Sequence, residues 1–371
     1  MTTITRNTDI FKAMETWAPK HLAYDWDNVG LQVGSFQKPV NKVMVTLDVL
    51  ESTVDEAIQH GVDLIIAHHP LLFKPMKQVN ADTAKGRAIQ KLLQHDISVY
   101  AAHTNLDMAH GGVNDMLCDQ LGLENRRILD VNHTEKLLKL AVFVPETHAE
   151  GVRDAMSEEG AGHIGDYSHC TFQSAGQGTF KPLDGTNPYI GSQGEVAFVD
   201  EVKIETILPD SKLSSVLEAM TAAHPYEEAA YDIYPMENSG PAFGIGRIGT
   251  LADKISLEAL CENVKSAFNV PNVRVTGDLT KDVKKIAILG GSGEKYLHKA
   301  KQMGADVYIT GDMTFHPAQD ALEMGLSVID PGHHVEKVMK NYTKSYLTDY
   351  FADRDVRIMV SEANTEPFQF I

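Results

Sequence analysis

An apolar run that ends abruptly on two imidazoles, Val62-Asp-Leu-Ile-Ile-Ala-His68-His69-Pro70, constrains the fold more than any other stretch of this chain. Strands covered on both faces read as continuous apolar runs, which places this one inside a parallel sheet. Ligands of such sheets sit at the carboxyl ends of the strands. Pro70 fixes φ and lacks an amide hydrogen, so the strand stops there and both histidines stand at its mouth. Successive side chains of extended backbone point opposite ways. One metal would rarely take both imidazoles, but two neighbouring metals could take one each. With 16 histidines among 371 residues, roughly one adjacent pair is expected by chance. The pair therefore gains weight only from similar clusters elsewhere.

The length of 371 residues favours two domains, and 43% hydrophobic with 23% charged residues is ordinary for a soluble globular protein. The net charge of -18 argues against a general affinity for nucleic acid or anionic membrane. A small anion stays accessible, because bound divalent cations reverse the sign locally. No apolar run approaches membrane-spanning length, and the N-terminal residues lack an apolar signal core. Cys118, Cys170 and Cys261 are odd in number and far apart, so neither a disulfide framework nor a thiolate zinc site is expected. A cytoplasmic setting follows as the simplest.

Periodicity divides the chain into three parts. Thr8 is expected to cap a first helix bearing Ile10, Met14 and Trp17. A strand over 42–49, a helix capped by Ser52 or Thr53, the Val62 strand, a helix with Ala84, Ala88, Ile89 and Leu92 on one face, and a strand over 97–101 then alternate. Such alternation implies right-handed βαβ units and a parallel or mixed sheet. From 131 to 249 the texture changes to a weak internal repeat of strand, proline, cap, helix and aromatic-rich strand (167–172 and 226–234). This is the pattern of an inserted ferredoxin-like α+β module. Residues 173–194, rich in Gly, Ser, Thr and Asn, read as a long hairpin or loop. After 250 the first texture returns, and Gly61-Val-Asp-Leu-Ile-Ile-Ala-His68 is echoed by Gly304-Ala-Asp-Val-Tyr-Ile-Thr-Gly311. The expectation is an α/β domain of two related βα half-domains, 1–130 and 250–371, interrupted by the module 131–249.

Three donor clusters fall at strand ends: His68-His69, His103-Thr-Asn-Leu-Asp107 and His333-His334-Val-Glu336. Imidazole and carboxylate without thiolate suit zinc, iron, manganese, cobalt or nickel better than calcium. His333 and Glu336 are three apart at a helix start and share one face. A carboxylate there could bridge two cations.

These clusters, with the flanking Pro70-Leu-Leu-Phe-Lys74 and the stretch Asp25-Trp26-Asp27-Asn28-Val29-Gly30-Leu31, resemble the signature of the GTP cyclohydrolase I type 2 homologue family, the Nif3-like dinuclear-metal proteins. The likeness covers essentially the whole chain. It includes an insertion similar to the PII/CutA-like ferredoxin fold, with a motif like His224-Pro225-Tyr226-Glu227-Glu228. The resemblance implies two divalent metal ions per subunit, ligated by His68, His69, Asp107, His333 and a bridging Glu336. It leaves His334 as the alternative to His333, and implies a toroidal homohexamer. His103 becomes a group beside the metal ligands or the substrate and a candidate proton carrier. The activity implied is hydrolysis of a small molecule such as GTP, with purine ring opening. A phosphoesterase and a non-catalytic metal-binding scaffold are the alternatives.

Other residues admit two readings each. Lys74 could neutralise a substrate phosphate or be a solvated surface lysine. Asp312 could line the site or cap a helix. Gly290-Gly291-Ser292-Gly293 could hold an anion on backbone amides or serve as an ordinary strand-helix joint. For His224 to Glu228 an interface or turn role is preferred over ligation.

Overall fold

The computed structural model describes residues 4–369 and 371. Two compact units are present: residues up to Asn132 together with those from Phe243 onward, and His133–Ala242. Both boundaries fall inside long strands, Glu124–Pro145 and Tyr231–Ser256. Among the described residues no helix is long and apolar enough to cross a membrane.

The first half of the larger unit is a five-stranded sheet in the order Gly30–Val33, Ser98–Ala101, Leu64–Ala67, Lys42–Thr46, Arg357–Val360. All neighbours run parallel except the first pair. Every residue of Leu64–Ala67 is buried. Leu64 and Ile66 face the main core, whereas Ile65 and Ala67 face a second core against Val54, Ala57, Ala88 and Leu92. The alternation of an extended strand thus meets apolar layers on both sides, which is why its sequence is apolar throughout.

The second half repeats this plan. Asp282–Ser292, Val307–Gly311 and Ser327–Asp330 run parallel, flanked by antiparallel neighbours in Tyr231–Ser256 and Arg274–Thr276. The correspondence extends to single bonds. Asp63 Oδ2 accepts the amides of Asn41 and Lys42 at 2.8 and 3.0 Å, and Asp306 Oδ2 accepts those of Lys284 and Lys285 at 3.0 and 2.9 Å. The Ser98 amide donates to the Asp63 carbonyl, as the Ser327 amide does to Asp306. Counting nine residues on from each serine reaches Asp107 in one half and Glu336 in the other.

The two halves share one core, in which Leu64, Met116, Leu117, Ile286 and Ile288 all take part. A buried guanidinium crosses this region: Arg247, 2% exposed, bonds both Asp115 oxygens at 2.9 and 2.8 Å and the carbonyls of Ala109, Gly244 and Gly246. Arg247→Met is expected to cost about 3–5 kcal/mol, because Asp115 loses its cationic partner and keeps only the Gly111 amide, while three carbonyls lose their donor. Urea unfolding of the two proteins measures it; a change below about 1 kcal/mol would contradict the assignment.

Two expected helix caps are corrected. The first helix is Asn7–Trp17, and Asp9 accepts the Arg6 amide at 2.8 Å, so Thr8 lies inside the helix. The second is Glu51–His60, which places Ser52 and Thr53 in its first turn; the Thr53 hydroxyl donates back to the Asp48 carbonyl.

The smaller unit has the order strand, helix, two strands, helix, strand. Thr171–Phe180 lies beside Ala197–Pro209, then Glu124–Pro145, then Tyr231–Ser256. This is the split βαβ arrangement of ferredoxin-like folds. Leu140, Val142 and Val144 pack with Val152, Met156, Val216 and Met220 of the two helices. Residues 173–194, read as a long hairpin or loop, belong to a hairpin: Thr171–Phe180 pairs antiparallel with Ala197–Pro209, from Thr171↔Thr206 to Phe180↔Ala197. A Cβ on Gly178 would sit 2.1 Å from Glu201 Oε2, so that glycine leaves room for a cross-strand side chain rather than marking a turn.

Candidate metal centre

Four histidines converge, and each has its Nδ1 engaged. His68 Nδ1 lies 2.8 Å from the Ala102 carbonyl oxygen, which accepts only, so that nitrogen carries the proton. His69 Nδ1 lies 2.7 Å from Asp48 Oδ1, His333 Nδ1 2.7 Å from Asp312 Oδ2, and His103 Nδ1 2.9 Å from Asp27 Oδ1. Such partners hold the proton on Nδ1 and turn Nε2 inward, the nitrogen a cation would take, as in metal-ligating histidines generally. Asp48 and the Ala102 carbonyl are thus parts of the site that were not singled out from sequence, and Asp27 was named only within its motif. Asp48 follows the strand neighbouring the His68 strand, and that strand-end position was its only signal.

The Glu336 carboxylate completes the group. Glu336 Oε2 lies 3.0 Å from His69 Nε2, 3.2 Å from His333 Nε2 and 3.8 Å from His68 Nε2. Asp107 Oδ1 stands 3.6 Å from His68 Nε2, and both these atoms are buried without a hydrogen-bond partner. Orphaned buried polar atoms are costly and call for an occupant. Within this centre three sets have ligand atoms mutually within 4.8 Å: His68, Asp107 and Glu336; His69, His333 and Glu336; and His68, His69 and His103. Glu336 belongs to two of them. These groups fit a divalent cation in chemistry and in spacing.

Local structure explains the convergence. His333–Val338 is a 3-10 turn, in which residues three apart eclipse, so His333 and Glu336 stack on one side. His334 points elsewhere: its Nε2 lies 3.3 Å from Thr365 Oγ1 and its Nδ1 3.8 Å from Glu366. The glycine run feeds the same site. A Cβ on Gly291 would lie 2.7 Å from Glu336 Oε1 and 3.3 Å from His333 Nε2, and one on Gly290 3.1 Å from Glu336 Cγ. These glycines clear space for the carboxylate; the strand Asp282–Ser292 runs through them to the 3-10 turn Glu294–Tyr296, the strand-helix joint of the two readings. Asp312, read as a lining or capping acid, orients His333. Lys74 is exposed next to Phe73. His224 bonds the Phe143 carbonyl through Nε2 and accepts the Tyr226 amide at Nδ1, a turn role that occupies both nitrogens.

Exposure is graded across the centre. The side chains of His68, Asp107 and Glu336 are 0%, 10% and 4% exposed, against 23% and 41% for His69 and His333. The open side faces a cavity of about 1050 Å³ lined among others by Asp48, His69, Asp312, His333, Arg274 and Lys337.

A family model described as Duf34/NIF3 (NGG1p interacting factor 3) matches residues 5–367. The chain belongs to the Duf34/NIF3 family. Among Duf34/NIF3 relatives, a protein of Bacillus subtilis named GTP cyclohydrolase 1 type 2 homolog is 51% identical over 364 residues, covering 98% of each chain. One of the same name from Halalkalibacterium halodurans is 49% identical over 370 residues, covering 99% of this chain and 100% of the other. The crystal structure of a Bacillus cereus protein related to NIF3 superposes with a TM-score of 0.92 at 48% identity, over 100% of both chains.

The electrostatics set a pH dependence. In the metal-free centre, burial opposes the charged form of His69, but the bonds to Asp48 and Glu336 outweigh it and push its pKa up to about 10. The Glu336 bond, against burial, pushes His333 up to about 9. Burial also opposes the charge on Glu336, yet its bonds to the histidines hold it well below the usual carboxylate range. Both raised imidazoles are protonated at neutral pH, so a cation must displace those protons. Uptake near pH 7 is expected to release about two protons, with affinity rising as pH climbs towards 9–10. Without metal the sign reverses: the raised histidines stabilise the fold fully below their ordinary 6.5, and that contribution fades as pH rises through 9–10. The Glu336 contribution is present above 4.5 and lost on acidification. Chelator competition across pH tests the first statement, which a flat profile would refute.

Proposed function

We propose that this chain is a hydrolase working with two divalent cations that share Glu336. His68 and Asp107 would serve the buried position, and His69 and His333 the one facing the cavity. The observation that carries this reading is a single buried carboxylate oxygen within reach of three imidazoles, beside two orphaned donor atoms. Two such cations would supply Lewis-acid polarisation of the substrate and a nucleophilic water near neutral pH. Asp48 and Asp312 hold His69 and His333 with Nε2 turned inward. His103, its Nδ1 held by a buried Asp27, keeps Nε2 for taking or passing on a proton. Lys74 is proposed to meet a phosphate of the substrate.

The substrate we favour is GTP, opened at the imidazole ring of guanine with release of formate, as the names of the relatives invite. The metal is one of zinc, iron, manganese, cobalt or nickel, which match the nitrogen and oxygen donors. Metal-free protein reconstituted with each ion singly, then assayed for formate from GTP and for phosphate from simple phosphate esters, tests the proposal. Ring opening that depends on the ion is the expected result. Turnover of esters alone would move the assignment to a phosphoesterase, and turnover of neither would overturn both.

A further inference from the structure

Beyond the cations, the centre has an aromatic edge. Trp26 and Phe73 are 56% and 42% exposed, an unusual placement for two large rings side by side. Their centroids are 5.9 Å apart at 67°, and the His103 ring stands edge-on to both, at 6.3 and 6.2 Å. His103 in turn lies 5.2 and 5.6 Å from the rings of His68 and His69. The two exposed rings therefore continue the candidate centre outward through one imidazole. With Asn28, Leu72, Pro75 and Met76 they line a cavity of about 400 Å³.

The rings are held in place by the site itself. Trp26 precedes Asp27, whose carboxylate is bonded by His103 and by both the amide and the hydroxyl of Thr104. The Trp26 ring stacks on Tyr24 at 5.4 Å and 17°. Phe73 follows Leu72, whose carbonyl accepts Asn28 Nδ2 at 2.7 Å and whose amide donates to Gln32 Oε1 at 3.1 Å. Both aromatic positions are thus tied to polar anchors and keep one open side.

We propose that Trp26 and Phe73 form a stacking subsite for a planar heteroaromatic ring of the ligand, set beside His103 at the rim of the metal centre. Aromatic faces bind such rings through dispersion and quadrupole contacts, which need no charge from this strongly acidic chain. Both rings stand against His103, and His103 stands against His68 and His69, so a ring held there lies beside the donor cluster. This deepens the hydrolase reading by naming what holds the base.

The test uses the metal-loaded full chain carrying Trp17→Phe, so that Trp26 is its one remaining indole. Guanosine, GTP and ribose 5-phosphate are titrated against its fluorescence. Guanosine and GTP are expected to quench saturably, whereas ribose 5-phosphate leaves the signal unchanged. Phe73→Ala is expected to weaken guanosine binding about tenfold or more without lowering metal content. Trp26→Ala, followed by equilibrium dialysis, is expected to do the same. Absence of guanosine binding, or binding indifferent to both substitutions, would overturn the proposal. So would a fall in assembly size in Trp26→Ala with ring affinity unchanged, since the patch would then be covered by another copy. Ring binding without any turnover would sink the hydrolase reading and leave this subsite standing.

Discussion

Glu336→Gln is expected to leave the purified protein with almost no bound divalent metal. The substitution keeps the shape of the side chain and removes only its charge and one lone-pair-rich oxygen. That oxygen is the group within 3.0–3.8 Å of His69, His333 and His68, so no other single change touches so many potential ligands. Partners that merely orient a ligand are worth about 10–100-fold in metal affinity, and a shared inner carboxylate is expected to exceed that range. A second effect follows from burial. With the side chain of Glu336 4% exposed, the protonated forms of His69 and His333 in metal-free protein depend on this carboxylate for charge compensation. Removing it is expected to cost about 3–5 kcal/mol at neutral pH, less where the open side of the site admits water. Elemental analysis after dialysis reads the first effect and urea unfolding of the metal-free forms the second. Wild-type metal content in the variant would remove the basis for a shared ligand.

Gly291→Ala is expected to be nearly as damaging, although it alters no polar group. At φ +66 this residue sits in the left-handed region, where a side chain costs about 1–2 kcal/mol. The new methyl would stand 2.7 Å from Glu336 Oε1, closer than real contacts allow, and Glu336 is walled in by buried neighbours. The carboxylate must therefore move, and with it the donor geometry of both ligand sets. A stability loss of about 1–3 kcal/mol together with a large drop in metal retention is expected. Gly290→Ala is the milder comparison, since its φ is ordinary and its nearest contacts are 3.1 Å. Equal metal retention in Gly291→Ala and the parent chain would show that the close approach has no role.

The resemblance to Nif3-like proteins rests chiefly on three donor clusters that follow strands, and family membership agrees with it. The half-domain echo is visible in the sequence because both halves need the same local solution. A glycine at φ +62 or +78 ends a helix, and an aspartate two residues on ties the next strand to its neighbour. The glycine-rich stretches are where local reading says least. At Gly178 and at Gly290 and Gly291 the missing Cβ accommodates a glutamate from a distant strand or turn, so the reason for glycine lies outside its own neighbourhood.

By itself the sequence determined that buried strands would end in imidazoles and carboxylates, because an uninterrupted apolar run and a proline leave few other conformations open. It could not determine which partners would turn those imidazoles. Asp48, Asp312 and Asp27 reach theirs across 21, 21 and 76 residues of chain. Nor could it choose between His333 and His334, which a 3-10 turn decides by eclipsing the first with Glu336. Those choices depend on which strands become neighbours, and neighbouring strands are set by packing of the whole core rather than by local propensity.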